Sequence, residues 1–233
     1  MSRRIEANIS TQLNPFGPQW PSGKVAETRT VGEQVQQALF GRPKPAVLDP
    51  AQFPALVESL RLLNKYRKKL AVMAGDEEDD YRIELADGTI AMIDEQGTIY
   101  MGEAFVAAFA ERPEVLVGAL AHEIGHRPKR WGGYRAQRQL TRSELTAICR
   151  EEETRADLFA GKALAEMQLR WEPLAEFLAA VETGPHPEYF PAEVRAQVLE
   201  ESFTGRAYRA DGRRKIFPAF DRMTSPKGHL GEG

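Results

Sequence analysis

The chain has 233 residues, enough for one domain of ordinary size with a buried core. Its 31 Lys+Arg and 34 Asp+Glu leave a formal net charge of -3, so no global basic field exists to draw nucleic acid or an anionic membrane. A single cysteine, Cys149, excludes an intramolecular disulfide and fits a reducing, cytoplasmic setting.

The start, Met1-Ser2-Arg3-Arg4, is basic, but polar Asn8, Ser10, Thr11 and Gln12 follow where a secretory signal needs an apolar stretch. Export would have to be leaderless. The longest apolar runs, 104–110 and 115–121, are too short to span a bilayer. Pro and Gly crowd the segment from Asn14 to Gly23, and residues 1–45 read as an N-terminal arm, partly disordered. Within it, Thr30 and Glu33 have capping-box spacing and predict a short helix through Phe40, stopped by Gly41 and Pro43. Residues 46–204 form the expected domain, and 205–233 a basic, then Gly-rich tail.

Inside the domain, Leu56, Leu60, Leu63 and Arg67 recur at helical spacing over 54–70. The acidic run 76–80 reads as a solvated turn. Residues 81–86 alternate Tyr81, Ile83 and Leu85 with polar neighbours, as a half-buried strand does. Asp87-Gly88 is a turn signal, 89–93 a second strand, 94–97 another turn and 98–101 a third strand. The expectation is a small antiparallel meander whose last strand can take an extended peptide at its edge. A helix over 103–110 follows, then one from Pro113 to about His126, stopped by Pro128 and Gly132-Gly133. Thr141 and Glu144 open a long helix to about Arg170, and Pro173 and Pro191 open two more. The fold class is therefore α+β, with a small sheet beside a central helix and a mostly helical second half.

The chemistry lies in His122-Glu123-Ile124-Gly125-His126. Histidines four apart on a helix lie one turn apart on one face, so both imidazoles can reach one zinc ion. Glu123 can lean over the ion's open position and act as general base. A catalytic zinc with two histidines lacks one protein ligand. On the next long helix, Leu145, Cys149, Ala156, Ala160, Ala163 and Met167 mark the buried stripe, with Glu152 and Glu153 on its opposite flanks. Periodicity does not choose between them. Asp157, one turn after Glu153, favours Glu153 as ligand, because a carboxylate there can hold the free N–H of a zinc-bound histidine. Glu152 stays as the alternative. Cys149 reads as a small core residue.

His122-Glu123-Ile124-Gly125-His126, followed by Glu153-Thr154-Arg155-Ala156-Asp157-Leu158-Phe159-Ala160, resembles the gluzincin metallopeptidases, and more narrowly the M48 (Ste24/HtpX-type) family. That family carries Ala-His-Glu-x-Gly-His and then Glu-x-x-Ala-Asp-x-x-Ala. The resemblance spans roughly residues 80–200 and implies a minimal, soluble zincin-like fold with one Zn2+ per chain. It places the third ligand on Glu153 and its supporting carboxylate on Asp157. It implies that Gly97–Gly102, with Ile99 and Tyr100, is a substrate-binding edge strand. It also implies that His186, in His186-Pro187, stabilises the oxyanion and that Arg195 lines the substrate cleft. The implied activity is zinc-dependent endopeptidase hydrolysis of a protein or peptide substrate, with Glu123 and His186 catalytic. The competing readings are a non-proteolytic zinc-binding regulator of stress or phage response, and a toxin or effector peptidase. No helix-turn-helix pattern accompanies the motif, as a DNA-linked regulator would suggest.

Overall fold

The computed structural model describes residues 30–133, 138–182, 184 and 189–205. The fold is α+β and mostly helical, with one three-stranded sheet. The helices are α1 (Val31–Phe40), α2 (Val57–Ala74), α3 (Glu103–Ala108), α4 (Pro113–Gly125), α5 (Arg142–Glu166), α6 (Glu172–Val181) and α7 (Ala192–Phe203). The strands are β1 (Arg82–Ala86), β2 (Ala91–Ile93) and β3 (Thr98–Gly102). Among the described residues, no helix is long and apolar enough to cross a membrane.

Helix α4 is the axis of the core. Val115, Leu116, Val117, Leu120, Ala121 and Ile124 are all fully buried, so the helix is enclosed on nearly every side. It packs chiefly against α5, and also against α2, α6 and β2. Its close contact with α5 depends on Gly125. A side-chain carbon there would lie 2.9 Å from the Ala156 Cα and 3.1 Å from the Phe159 Cβ. The glycine thus lets α5 approach at the turn that carries Glu153, Ala156 and Asp157. The end of α4 is sharp because Arg127 takes a left-handed backbone (φ 43), uncommon for a non-glycine residue.

Both predicted capping boxes form. The Thr30 and Thr141 hydroxyls accept from the backbone N–H of Glu33 and Glu144, and those two side chains accept in return from the threonine N–H groups. Although α1 falls within the segment assigned to an arm, it packs into the core, with Val31, Val35 and Phe40 buried. Gln36 ties it to the backbone oxygen of Pro128, just past the motif helix. An amphipathic turn pattern with a good cap is enough to dock, whatever the composition around it.

The sheet corrects the antiparallel meander. Its order is β1-β3-β2, with β2 antiparallel to β3 but β1 parallel to it. Asp87-Gly88 does not fold the chain back as a hairpin. Instead the connection crosses the end of β3, where the Gly102 N–H donates to Ile90 O at 2.8 Å. A side-chain carbon on Gly102 would meet Thr89 O at 1.7 Å, so only glycine admits this crossing. The strand expected at the edge is therefore the middle one, with Ile99 and Tyr100 buried. The edge is β2. The outer side of β1 is partly covered by a bridge from Val47 to Ala86.

The acidic run is also more than a solvated turn. Asp76 accepts two hydrogen bonds from Arg127 (3.0 and 3.2 Å) and one from the Tyr81 hydroxyl, while Asp80 pairs with Lys129. These contacts tie the start of the sheet to the segment that leaves α4.

Candidate metal centre

Helix α4 carries His122 and Glu123 in its last turn, and His126 is its C-terminal cap. The two imidazoles lie edge to face with centroids 4.8 Å apart. Helix α5 brings Glu153 to them. His122 Nε2 lies 3.1 Å from Glu153 Oε2, and His126 Nε2 lies 3.8 Å from Glu153 Oε1. One donor atom from each of His122, His126 and Glu153 falls within a 4.8 Å group. Tetrahedral ligands at about 2.0–2.1 Å from zinc stand about 3.4 Å apart, so the spacing suits one ion after small adjustments.

The local hydrogen bonding fits a cation as well. Glu153 Oε2 is buried and has no well-aligned hydrogen bond among the described residues, despite its closeness to His122. A buried carboxylate oxygen left this way is costly unless something positive completes it. Two imidazoles and a carboxylate form a donor set that zinc accepts.

Around this triad the polar groups are ordered in series. His122 Nδ1 is 2.9 Å from Asp157 Oδ1, which leaves Nε2 facing Glu153. Asp157 in turn accepts two hydrogen bonds from Arg195, Nε to Oδ2 and Nη2 to Oδ1, each 2.8 Å. Burial alone would raise the Asp157 carboxyl, but Arg195 and His122 hold it well below the usual carboxylate range. Asp157 is thus a fixed anion that holds the His122 ring by its Nδ1 side.

The two adjacent glutamates of α5 face different neighbours. Glu153 faces the histidines. Glu152, equally buried, points to the opposite flank and pairs with Arg130 and Arg155. Helix α5 packs chiefly against α4 and α7 and less extensively against α1, and Arg130 of the segment after α4 reaches Glu152. Burial pushes Glu152 up to about 7 against its arginine partners. Burial likewise opposes the charge on Glu153, but the two imidazoles and Arg195 outweigh it and hold Glu153 near 2. Burial depresses His126 to about 4, so it is a neutral imidazole at physiological pH. On His122 burial acts in the same sense, but the hydrogen bond to Asp157 and the nearby Glu153 carboxylate push it up to about 10.

Glu123 lines the same cavity as the triad, an opening of about 360 Å³ that merges with solvent. Burial pushes its carboxyl up to about 7, only partly offset by the charges of His122 and Arg42 and by a hydrogen bond from the Ile93 N–H. That value suits a group that must both take and return a proton near neutrality.

The other expected site residues fall in three places. Arg195 lies on α7 and reaches Asp157 rather than open solvent. Ile99 and Tyr100 are in the middle strand, away from the cavity wall, which is made instead by Ala91, Met92 and Ile93 of β2. His186 lies outside the described residues. Besides β2, the cavity residues not singled out in sequence include Phe40, Arg42 and Tyr189. The Phe40 ring stands edge-on to His126 with centroids 6.0 Å apart. The Tyr189 ring lies under the Arg195 guanidinium at 5.2 Å, and its side chain is hydrogen-bonded to Arg42. The His186-Pro187 segment was a signal for Tyr189 two residues on, but nothing local marked Phe40 or Arg42.

No protein-family model matches the chain, and no curated protein or solved structure matches it either.

Proposed function

We propose that the protein is a zinc-dependent endopeptidase of zincin-like architecture. The observation that carries the reading is the convergence of His122, His126 and Glu153 on one point, with the buried Glu123 carboxyl facing the same cavity. Zinc bound there supplies a Lewis acid for the scissile carbonyl and the attacking water.

The chain's own residues supply the rest. Glu123 accepts a proton from the attacking water and returns it to the leaving amine, which spares the reaction a free hydroxide and an amide anion. The Ile93 N–H holds the Glu123 carboxylate toward the edge strand. Asp157, clamped by Arg195, keeps the His122 ring from turning. Strand β2, an edge strand of the sheet among the described residues and packed beside α4, is placed to accept an extended peptide as an added strand. No side chain forms a covalent bond to substrate in this scheme.

The test is Glu123→Gln. The variant should retain one zinc per chain by elemental analysis and lose at least about 100-fold in cleavage, the lower end of what general acid–base groups contribute. Peptide libraries read by mass spectrometry against this variant also reveal the substrate. Cleavage by Glu123→Gln at the parent rate would overturn the mechanism. Bound zinc with no cleavage of any library by the parent would favour the regulatory reading.

A further inference from the structure

The two histidines of the motif are held in different ways. His122 is anchored through Nδ1 by Asp157, which Arg195 holds in turn. His126 has no such anchor. Its Nδ1 is buried and meets no hydrogen-bonding group among the described residues, while its Nε2 faces Glu153 at 3.8 Å. A metal-bound imidazole almost always has its other nitrogen tied to a carboxylate, a carbonyl or water, because that bond sets the plane of the ring. His126 is also the C-terminal cap of α4 and precedes the left-handed Arg127, so no further helical turn encloses it.

Aromatic packing stands where that hydrogen bond would be. The centroid of the Phe40 ring lies 6.0 Å from that of His126, with the planes at 80°. The His122 ring forms a second near-perpendicular pair with His126, at 4.8 Å and 86°. Perpendicular ring pairs at such distances are attractive, and two of them on one imidazole oppose its rotation. Phe40 is only 3% exposed, so its own ring has little room to move.

The backbone under Phe40 is fixed as well. Phe40 ends α1, and α1 is fastened at both ends of the link between the two helices that carry the triad. Gln36 Nε2 donates to Pro128 O at 3.2 Å, two residues after His126. Gln34 Nε2 donates to Arg138 O at 2.6 Å, and Gln34 Oε1 accepts from the Leu140 N–H at 2.8 Å, just before α5.

Resting on the metal-centre reading, we propose that Phe40 is a positioning residue for His126, holding the imidazole with Nε2 toward Glu153 by ring packing in place of a hydrogen bond to Nδ1. Helix α1 is then part of the metal centre, although it lies about 80 residues before the motif.

The experiment uses the full chain and three variants: Phe40→Ala, Phe40→Leu and Val31→Ala. Leucine keeps most of the apolar volume but not the flat ring. Val31 is buried in the first turn of α1, about 13 Å along the helix from Phe40, and controls for weakened docking. Zinc affinity is measured by chelator competition, ligand geometry by the visible absorption of bound Co2+, and folding of the metal-free chain by thermal unfolding. Both Phe40 variants should weaken zinc by about 10- to 100-fold, the scale of losing an outer partner, and should alter the Co2+ spectrum. Phe40→Leu should do so with a metal-free Tm close to the parent's. Val31→Ala should lower that Tm and keep the parent's affinity and spectrum. Parent-like affinity and spectrum in Phe40→Leu overturn the positioning role, even where Phe40→Ala fails to fold. An equal loss of zinc in Val31→Ala also overturns it, because the effect would then follow helix docking and not the ring. A parent chain that binds neither zinc nor Co2+ brings down the metal-centre reading and this role together, whereas a parent that binds both, with unchanged Phe40 variants, removes the role alone.

Discussion

Two adjacent glutamates, Glu152 and Glu153, are both buried and do opposite work. Glu153 completes a cluster with two imidazoles, while Glu152 neutralises Arg130 and Arg155 on the other side of the same helix. Their substitution should separate metal binding from stability. Glu153→Gln should weaken zinc by more than the about 10- to 100-fold that follows loss of an outer-sphere partner. Glu152→Ala should leave zinc affinity nearly unchanged and cost about 1–3 kcal/mol of folding stability, because it leaves the half-buried Arg130 and Arg155 without their carboxylate. Chelator competition measures the first and urea unfolding the second. The reverse pattern would make Glu152 the ligand. At this scale the two histidines were legible because i and i+4 on a helix share a face whatever surrounds them. The glutamate was less so, since one stripe of apolar residues cannot say what covers each flank.

At the scale of elements, the β2–β3 hairpin deserves its sequence for a second reason. Asp94 sits at its turn, buried, and accepts from the backbone N–H of Gln96 and of Thr98, both at 2.9 Å. Lys44 donates to it at 2.8 Å and the Tyr100 hydroxyl at 3.2 Å. Burial disfavours the charged form, but Lys44 and the two backbone donors prevail, so the folded pKa lies below the ordinary value. A group with a depressed folded pKa adds stability that is fully present above its unfolded pKa, near 3.9, and is lost as pH falls through the folded value. Asp94→Ala should therefore destabilise by about 2 kcal/mol at pH 7, from unsatisfied buried donors, with the gap narrowing below about pH 4. Thermal unfolding of both proteins from pH 7 to pH 3 checks this, and a gap that widens in acid would contradict it. The hairpin turn itself was readable from Asp94 and Gly97. The partner of β1 was not, because strand pairing depends on which way a connection crosses, and Asp87-Gly88 fits either a hairpin or a crossing.

The whole molecule gathers the site from four separated stretches: the end of α1, the edge strand β2, the motif helix and α5, with Tyr189 closing from the segment before α7. A cation held by α4 and α5 together stabilises the folded chain by mass action, since the ligands are dispersed when it unfolds. Zinc at 100 times its Kd should add about 2.7 kcal/mol, and a chelator should lower Tm accordingly. His126→Ala should lose most of that chelator-sensitive increment, and an increment that persists in this variant would place the metal elsewhere. Sequence alone determined the two capping boxes, the motif face and the α+β class, because each rests on neighbours within a turn or two. Tertiary structure alone decided the β1-β3-β2 order, the docking of α1, the Arg195–Asp157 clamp and the place of Arg42 and Tyr189 beside the triad. Those contacts join residues far apart in the chain, and their geometry follows from close packing of α5 on Gly125 and of the crossing chain on Gly102, which no local periodicity encodes.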